Sequence, residues 1–246
     1  MFEYQAPATL LKDRVILVTG AGDGIGRVAA KTFAAYGATV ILLGRTLEKL
    51  EHVYDEIEAA GHPQPALVPM NLESAQEHDF IELTNIIEQE FGHLDGILHN
   101  AGILGVRTPI ESYDPVIWQQ VMQVNLNAPF MLTQILMPLL ERADSPSVIF
   151  TSSNVGRKSK AYWGAYAVSK FATEGLMQTL ADELSNVSKI RVNCINPGAT
   201  RTQMRADAYP GEDPATVTSP DDIMPLYLYL MGSDSLEVRG QSLDAQ

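Results

Sequence analysis

Hydrophobic positions along this chain fall into two alternating patterns: short unbroken apolar runs, and longer stretches where they recur at helical spacing. An unbroken run is apolar on both faces of a pleated chain, which predicts a parallel strand covered on both sides. Val15-Ile16-Leu17-Val18-Thr19 is the first such run. Glycines follow in Gly20-Ala21-Gly22-Asp23-Gly24-Ile25-Gly26, then Val28, Ala29, Phe33 and Ala34 at helical spacing, with Gly37 as the stop. The unit recurs. Residues 39–43 read as a second strand, Thr46 as the cap of a helix ending near residue 60, and Ala66-Leu67-Val68 as a third strand cut short by Pro65 and Pro69. Helical periodicity over 77–91 leads to a fourth strand at Gly96-Ile97-Leu98-His99, and a long helical stretch over 114–142 leads to a fifth at 148–151. A helix carrying Tyr166 and Lys170 runs to about residue 184, ahead of a sixth strand at 190–195.

Leu226-Tyr227-Leu228-Tyr229-Leu230 alternates as a strand would. Ser219-Pro220-Asp221-Asp222 supplies an N-cap, an N1 proline and an acidic first turn, so a helix ending near Gly232 is expected instead. A last short strand is expected at 241–244. Strands alternating with helices predict an α/β fold, because parallel strands need helical crossovers. The expectation is a single-domain doubly wound parallel sheet of the Rossmann-like kind, with about seven strands and no linker within 1–246. Residues 197–219, with three prolines and little periodicity, read as a functional loop, and 198–219 as the candidate substrate loop.

At 246 residues the chain can bury roughly 70–75% of its unfolded surface and needs no covalent staple. Its single cysteine, Cys194, lies in the apolar run of the sixth strand, which excludes disulfides and a cysteine-based metal site. Seventeen basic against thirty acidic side chains give a net charge of -13, which argues against nucleic acid as a partner. No apolar run approaches the ~18 residues of a membrane helix, and the first residues lack a secretory pattern. A cytoplasmic protein without membrane contact is expected.

Tyr166 and Lys170 stand four residues apart, which on a helix brings their Cβ atoms within roughly 5–6 Å. An ammonium beside a phenol favours phenolate, so the pair reads as a candidate acid/base. The glycine segment after the first strand points backbone N–H groups and a helix N-terminus at a pyrophosphate, the arrangement of a dinucleotide site. At the end of the second strand Gly44-Arg45 stands where NAD enzymes place a carboxylate. A guanidinium binds phosphate in bidentate fashion, so NADP(H) is expected in preference to NAD(H).

Together these residues resemble the short-chain dehydrogenase/reductase family. Thr19-Gly20-x-x-x-Gly24-x-Gly26 resembles its cofactor turn, Asn100-Ala101-Gly102 its segment after the fourth strand, and Ser153 stands thirteen residues before Tyr166 as its catalytic serine does. Pro197-Gly198 follows the sixth strand, where the family contacts nicotinamide. Closer motifs, among them His99-Asn100-Ala101-Gly102, Trp163-Gly164-Ala165-Tyr166 and Asp222-Ile223-Met224-Pro225, resemble the YciK-type bacterial subgroup.

The resemblance implies a catalytic set of Asn125, Ser153, Tyr166 and Lys170. Tyr166 would exchange a proton with the substrate oxygen and Ser153 would hydrogen-bond that oxygen. Lys170 would lower the phenol pKa and hold the nicotinamide ribose. Asn125 would hold a water that links Lys170 to solvent. Pro129, four residues after Asn125, has no N–H for its carbonyl, so a kink exposing that acceptor is expected. Implied cofactor contacts are Gly20, Asp23, Gly24, Ile25, Gly26, Arg45, Asn71, Leu72, Asn100, Ala101, Gly102, Tyr166, Lys170, Pro197, Gly198, Thr200 and Thr202. The chain departs from the family at His99, which replaces an asparagine, at Asn71, which replaces an aspartate, and at its last residues, which lack a glycine pair.

Substrate wall candidates are Leu104, Asn154, Tyr162, Trp163 and Met204, with Val106 and Tyr209 beside them. Arg157, Lys158, Lys160, Arg201 and Arg205 cluster in the same two segments and raise the alternative of an anionic substrate. The leading expectation is an NADP(H)-dependent oxidoreductase, of EC class 1.1.1, that interconverts a small-molecule carbonyl and a secondary alcohol. A 3-oxoacyl-thioester reductase and a non-catalytic NADP(H)-binding sensor are the alternatives. A homodimer or homotetramer is expected by resemblance.

Overall fold

A computed structural model describes all 246 residues. Its strands are β1 (Val15–Thr19), β2 (Thr39–Gly44), β3 (Ala66–Pro69), β4 (Gly96–His99), β5 (Ser147–Thr151), β6 (Arg191–Asn196) and β7 (Ser242–Asp244). Its helices are α1 (Gly24–Ala35), α2 (Leu47–Ala59), α3 (Glu77–Phe91), α4 (Pro115–Met122), α5 (Ala128–Leu140), α6 (Gly164–Leu184), α7 (Gln203–Ala208) and α8 (Met224–Met231).

The apolar runs have the two-sided burial that their composition demands. Ile16 and Val18 of β1 enter one hydrophobic cluster with α1, α2 and α8, whereas Val15 and Leu17 enter a second with α3, α5 and α6. Strand β2 divides the same way, Val40 and Leu42 against Ile41 and Leu43. All pairings are parallel, in the order β3-β2-β1-β4-β5-β6-β7. Leu17 lies opposite both Ile41 and Ile97, so truncating it to alanine costs about 2–5 kcal/mol. Strand order reverses between β1 and β4, which opens a crevice beyond their C-terminal ends.

Several local details differ from the sequence expectations. Thr46 occupies the N-cap of α2 but its hydroxyl makes no capping bond. The stretch 114–142 is two helices. Asp114 caps α4 through Val116 N at 2.8 Å, and a π turn at Gln123–Asn127 separates it from α5. The expected interruption at Asn125 is present; the Thr173 hydroxyl of α6 lies 3.4 Å from its carbonyl but gives its one hydrogen to Ser169 O at 2.9 Å. The 197–219 segment is not a plain loop, since it contains α7, capped by Thr202 Oγ1 accepting from Arg205 N at 3.2 Å, and a 3-10 turn at Pro214–Thr216. At the other end of the sheet, the fully buried Arg191 donates to Leu230 O at 2.9 Å and Gly232 O at 3.0 Å, placing a cation on the carbonyl end of α8. No helix is long and apolar enough to cross a membrane.

Candidate active site

A cavity of about 530 Å³ fills the crevice. Its floor is set by Thr19, the last residue of β1, whose Oγ1 accepts from Asn100 N and Ala101 N, both at 3.0 Å. That hydroxyl locks the turn after β4 to the turn after β1. Gly20 adopts φ +69°, and a Cβ there would lie 3.0 Å from Ala101 Cα, so only glycine lets the two turns meet. Of the cofactor positions named from sequence, all line the cavity except Gly26. A Cβ on Gly26 would fall 2.2 Å from Gly20 O. Gly26 lets α1 approach the turn closely.

Tyr166 and Lys170 share one stripe of α6 and both are buried at the cavity wall with Ser153. The sequence predicts a phenol made acidic by Lys170, and the structure shows a different balance. Lys170 Nζ lies 5.5 Å from the Tyr166 ring centroid and donates to Thr151 O at 2.7 Å. Burial pushes the phenol up to about 12, opposed by the hydrogen bond with Ser153. Burial likewise lowers Lys170 to about 8, opposed by the Glu174 carboxylate. Desolvation therefore outweighs the attraction that i,i+4 spacing suggests, and the phenol is held protonated. Asn125 is buried, with Oδ1 accepting from Ile103 N at 2.8 Å and Nδ2 donating to Ile103 O and Ser169 Oγ at 3.0 Å. It clamps the chain after Gly102 onto α6.

His99 is no base. Thr133 Oγ1 gives its one hydrogen to Pro129 O at 2.7 Å, so the 2.8 Å contact with His99 must be donated by Nε2. The ring stacks on Phe150, and burial lowers its pKa to about 3. A neutral imidazole with a fixed tautomer results.

On the substrate side Leu104, Trp163, Met204 and Tyr209 line the cavity. Asn154 does not, because its carboxamide oxygen accepts from Asn196 Nδ2 at 2.7 Å. Tyr162 also does not: it adopts φ +71° and is 57% exposed. Val106 is exposed as well. Two of the basic residues are already neutralised. Arg157 pairs with Asp244 at 2.6 Å, and Arg205 grips Glu212 through two 2.6 Å bonds while stacking 3.8 Å over Tyr209. Lys158, Lys160 and Arg201 lie outside the lining.

Residues that sequence reasoning missed complete the site. Lys49 lines the cavity near Arg45 and pairs with Asp23 at 2.5 Å; its place in the first turn of α2 was legible. Arg107 donates to Ala208 O and lies 5.2 Å from the Trp163 ring and 5.4 Å from the Tyr209 ring, tying the segment after β4 to α7. Nothing local in the sequence signals that bridge. No group of three or more His, Cys, Asp or Glu side chains is placed to hold a metal ion.

A family model described as short chain dehydrogenase matches residues 14–213. An uncharacterized oxidoreductase of Escherichia coli K12, YciK, is 56% identical over 243 residues, covering 99% of this chain and 96% of that protein. A solved chain from Pseudomonas syringae superposes with TM-score 0.98 at 59% identity, over 100% of both chains. Another, from Escherichia coli CFT073 and complexed with NADPH, gives TM-score 0.95 at 56% identity, over 98% of this chain and 100% of that one. A crevice built from these motifs, in a fold shared over almost the whole length, leads to one conclusion: the chain belongs to the short-chain dehydrogenase family, in its YciK-type branch.

Proposed function

We propose that this chain interconverts a carbonyl and a secondary alcohol by hydride transfer with NADP(H), used in preference to NAD(H). The observation that carries the reading is the meeting of Tyr166, Ser153 and Lys170 at one end of the same crevice whose other end is the glycine turn. The residues fit a dinucleotide. Would-be Cβ atoms on Gly20 and Gly24 would crowd Ala101 and Thr202, so the cradle needs bare backbone. Arg45 forms no ion pair and the Thr46 hydroxyl makes no capping bond, which leaves both free for a ribose phosphate. The NADPH complex of the 56%-identical relative supports the same choice.

When bound, the cofactor supplies or accepts the hydride. Tyr166, protonated up to about 12, donates its hydrogen to the oxygen of the carbonyl as negative charge develops there. Ser153 donates a second hydrogen bond to that oxygen. Lys170 holds the ribose and steadies the phenolate left behind, and Asn125 fixes the segment that closes over it. The apolar wall of Leu104, Trp163, Met204 and Tyr209, with Arg205 spent on Glu212, favours an uncharged substrate over an anionic one. Exposed Phe130 of α5 with Val168 and Phe171 of α6 supports a homodimer or homotetramer built through these helices.

The test is a screen of uncharged ketones and diketones with NADPH and NADH, followed at the nicotinamide absorbance, with Tyr166→Phe as control. Turnover lowered roughly 10²–10⁴-fold in the variant supports the reading. Equal turnover by Tyr166→Phe, or NADPH binding without oxidation by any carbonyl, favours the sensor alternative.

A further inference from the structure

We infer that Glu174 is a positioning residue for the Tyr166–Lys170 pair: its buried carboxylate, one helical turn beyond Lys170, keeps the ammonium charged and anchors the strand end that bears Ser153. Its catalytic consequence rests on the acid/base reading proposed above.

Tyr166, Lys170 and Glu174 stand at i, i+4 and i+8 of α6 and therefore form one stripe. Glu174 is only 7% exposed. Its Oε1 accepts from Ser152 Oγ and, at 2.6 Å, from Ser242 Oγ of β7, while Arg157 Nε lies 3.5 Å away. Ser152 is held on its other side by its N–H to Ile195 O at 2.7 Å. One carboxylate thus joins the end of β5, the edge strand β7 and the segment after Ser153 to the helix that carries the acid/base pair.

A neutral amide could satisfy the same two hydroxyls, so the charge needs its own reason. Lys170 is buried, its ammonium 5.5 Å from the Tyr166 ring and bonded to the Thr151 carbonyl; the other titratable groups whose charge bears on it are Cys194 from β6 and Glu174, one turn along the same stripe. Burial raises the Cys194 thiol far above its usual range, so it carries no charge where Lys170 titrates. Arg157 divides its charge between Glu174 and Asp244 and is partly solvated. Glu174 is the anion left to oppose the desolvation of Lys170.

The test uses the full chain labelled with 13Cε-lysine, the Lys170 resonance being the one absent from Lys170→Arg. In Glu174→Gln, which keeps an acceptor for both serines, the Lys170 titration midpoint is expected to fall by about one unit. In Glu174→Asp, which keeps the charge, it is expected to stay near the wild-type value. Should Glu174→Gln prove unstable, Glu174→Met removes the same charge and is read the same way. An unchanged midpoint in a folded charge-free variant overturns the inference. With NADPH and a small diketone, the alkaline limb of kcat/KM is expected to move down by the same interval. If Tyr166→Phe instead turns over like wild type, the acid/base reading fails, while the Lys170 shift still places Glu174.

Discussion

Lys170 gives its 2.7 Å hydrogen bond to the carbonyl of Thr151, so the ammonium is tethered to the end of β5 and not to the phenol one turn before it. A cation so placed is costly. Its pKa in the fold, about 8, lies below the ~10.4 of an exposed lysine, so the charged form is the one the fold disfavours.

Lys170→Met is therefore expected to stabilise the protein while abolishing turnover. The penalty is fully present below pH 8 and fades as pH climbs toward ~10.4, so the gain at pH 7 is on the order of 2–3 kcal/mol. Thermal unfolding at pH 7 and pH 9.5 checks both size and sign. A variant less stable than wild type at pH 7 contradicts the account.

NADPH binding is expected to take up protons. Above pH 8 the free protein has lost charge at Lys170, and an anionic ligand restores it. Affinity should drop as pH rises from 7.5 to 9.5, with up to about one proton absorbed near pH 8.5. Titration calorimetry in buffers of different ionisation enthalpy measures this directly. A flat affinity across that interval would remove Lys170 from the binding step.

Arg45→Ala is expected to weaken NADPH binding about 10–100-fold and leave NADH binding within about twofold, since a charged hydrogen bond contributes ~1.5–3 kcal/mol. Fluorescence titration with both nucleotides decides it. Equal losses for the two would assign Arg45 a structural role.

Arg107→Ala removes the guanidinium between Trp163 and Tyr209 and its bond to Ala208 O. Cation–π contacts of this kind contribute ~0.5–2 kcal/mol, so KM for the carbonyl compound should rise about 3–20-fold with kcat little altered. A fall in kcat at constant KM would show that Arg107 acts on the chemical step.

Much of this was legible in the sequence because the signals were local. Short apolar runs marked the first six strands, the seventh being expected only as a short last strand at 241–244, and four-residue spacing marked Tyr166 and Lys170. What escaped depends on distant partners. Arg107 finds Ala208, Arg157 finds Asp244, and Asn154 is claimed by Asn196, none of which a window of neighbours can show. Helix α7 was hidden because six residues are too few for a period to emerge. The balance on Tyr166 was misjudged for a related reason: spacing reports proximity, whereas burial sets the proton.

The fixed tautomer of His99 reaches beyond its own position. With Nε2 donating to Thr133 and burial lowering its pKa to about 3, that imidazole stays neutral, and no histidine borders the cavity. The other four, His52, His62, His78 and His93, also lie outside the lining, so no imidazole of this chain is placed to exchange a proton with a molecule held in the crevice.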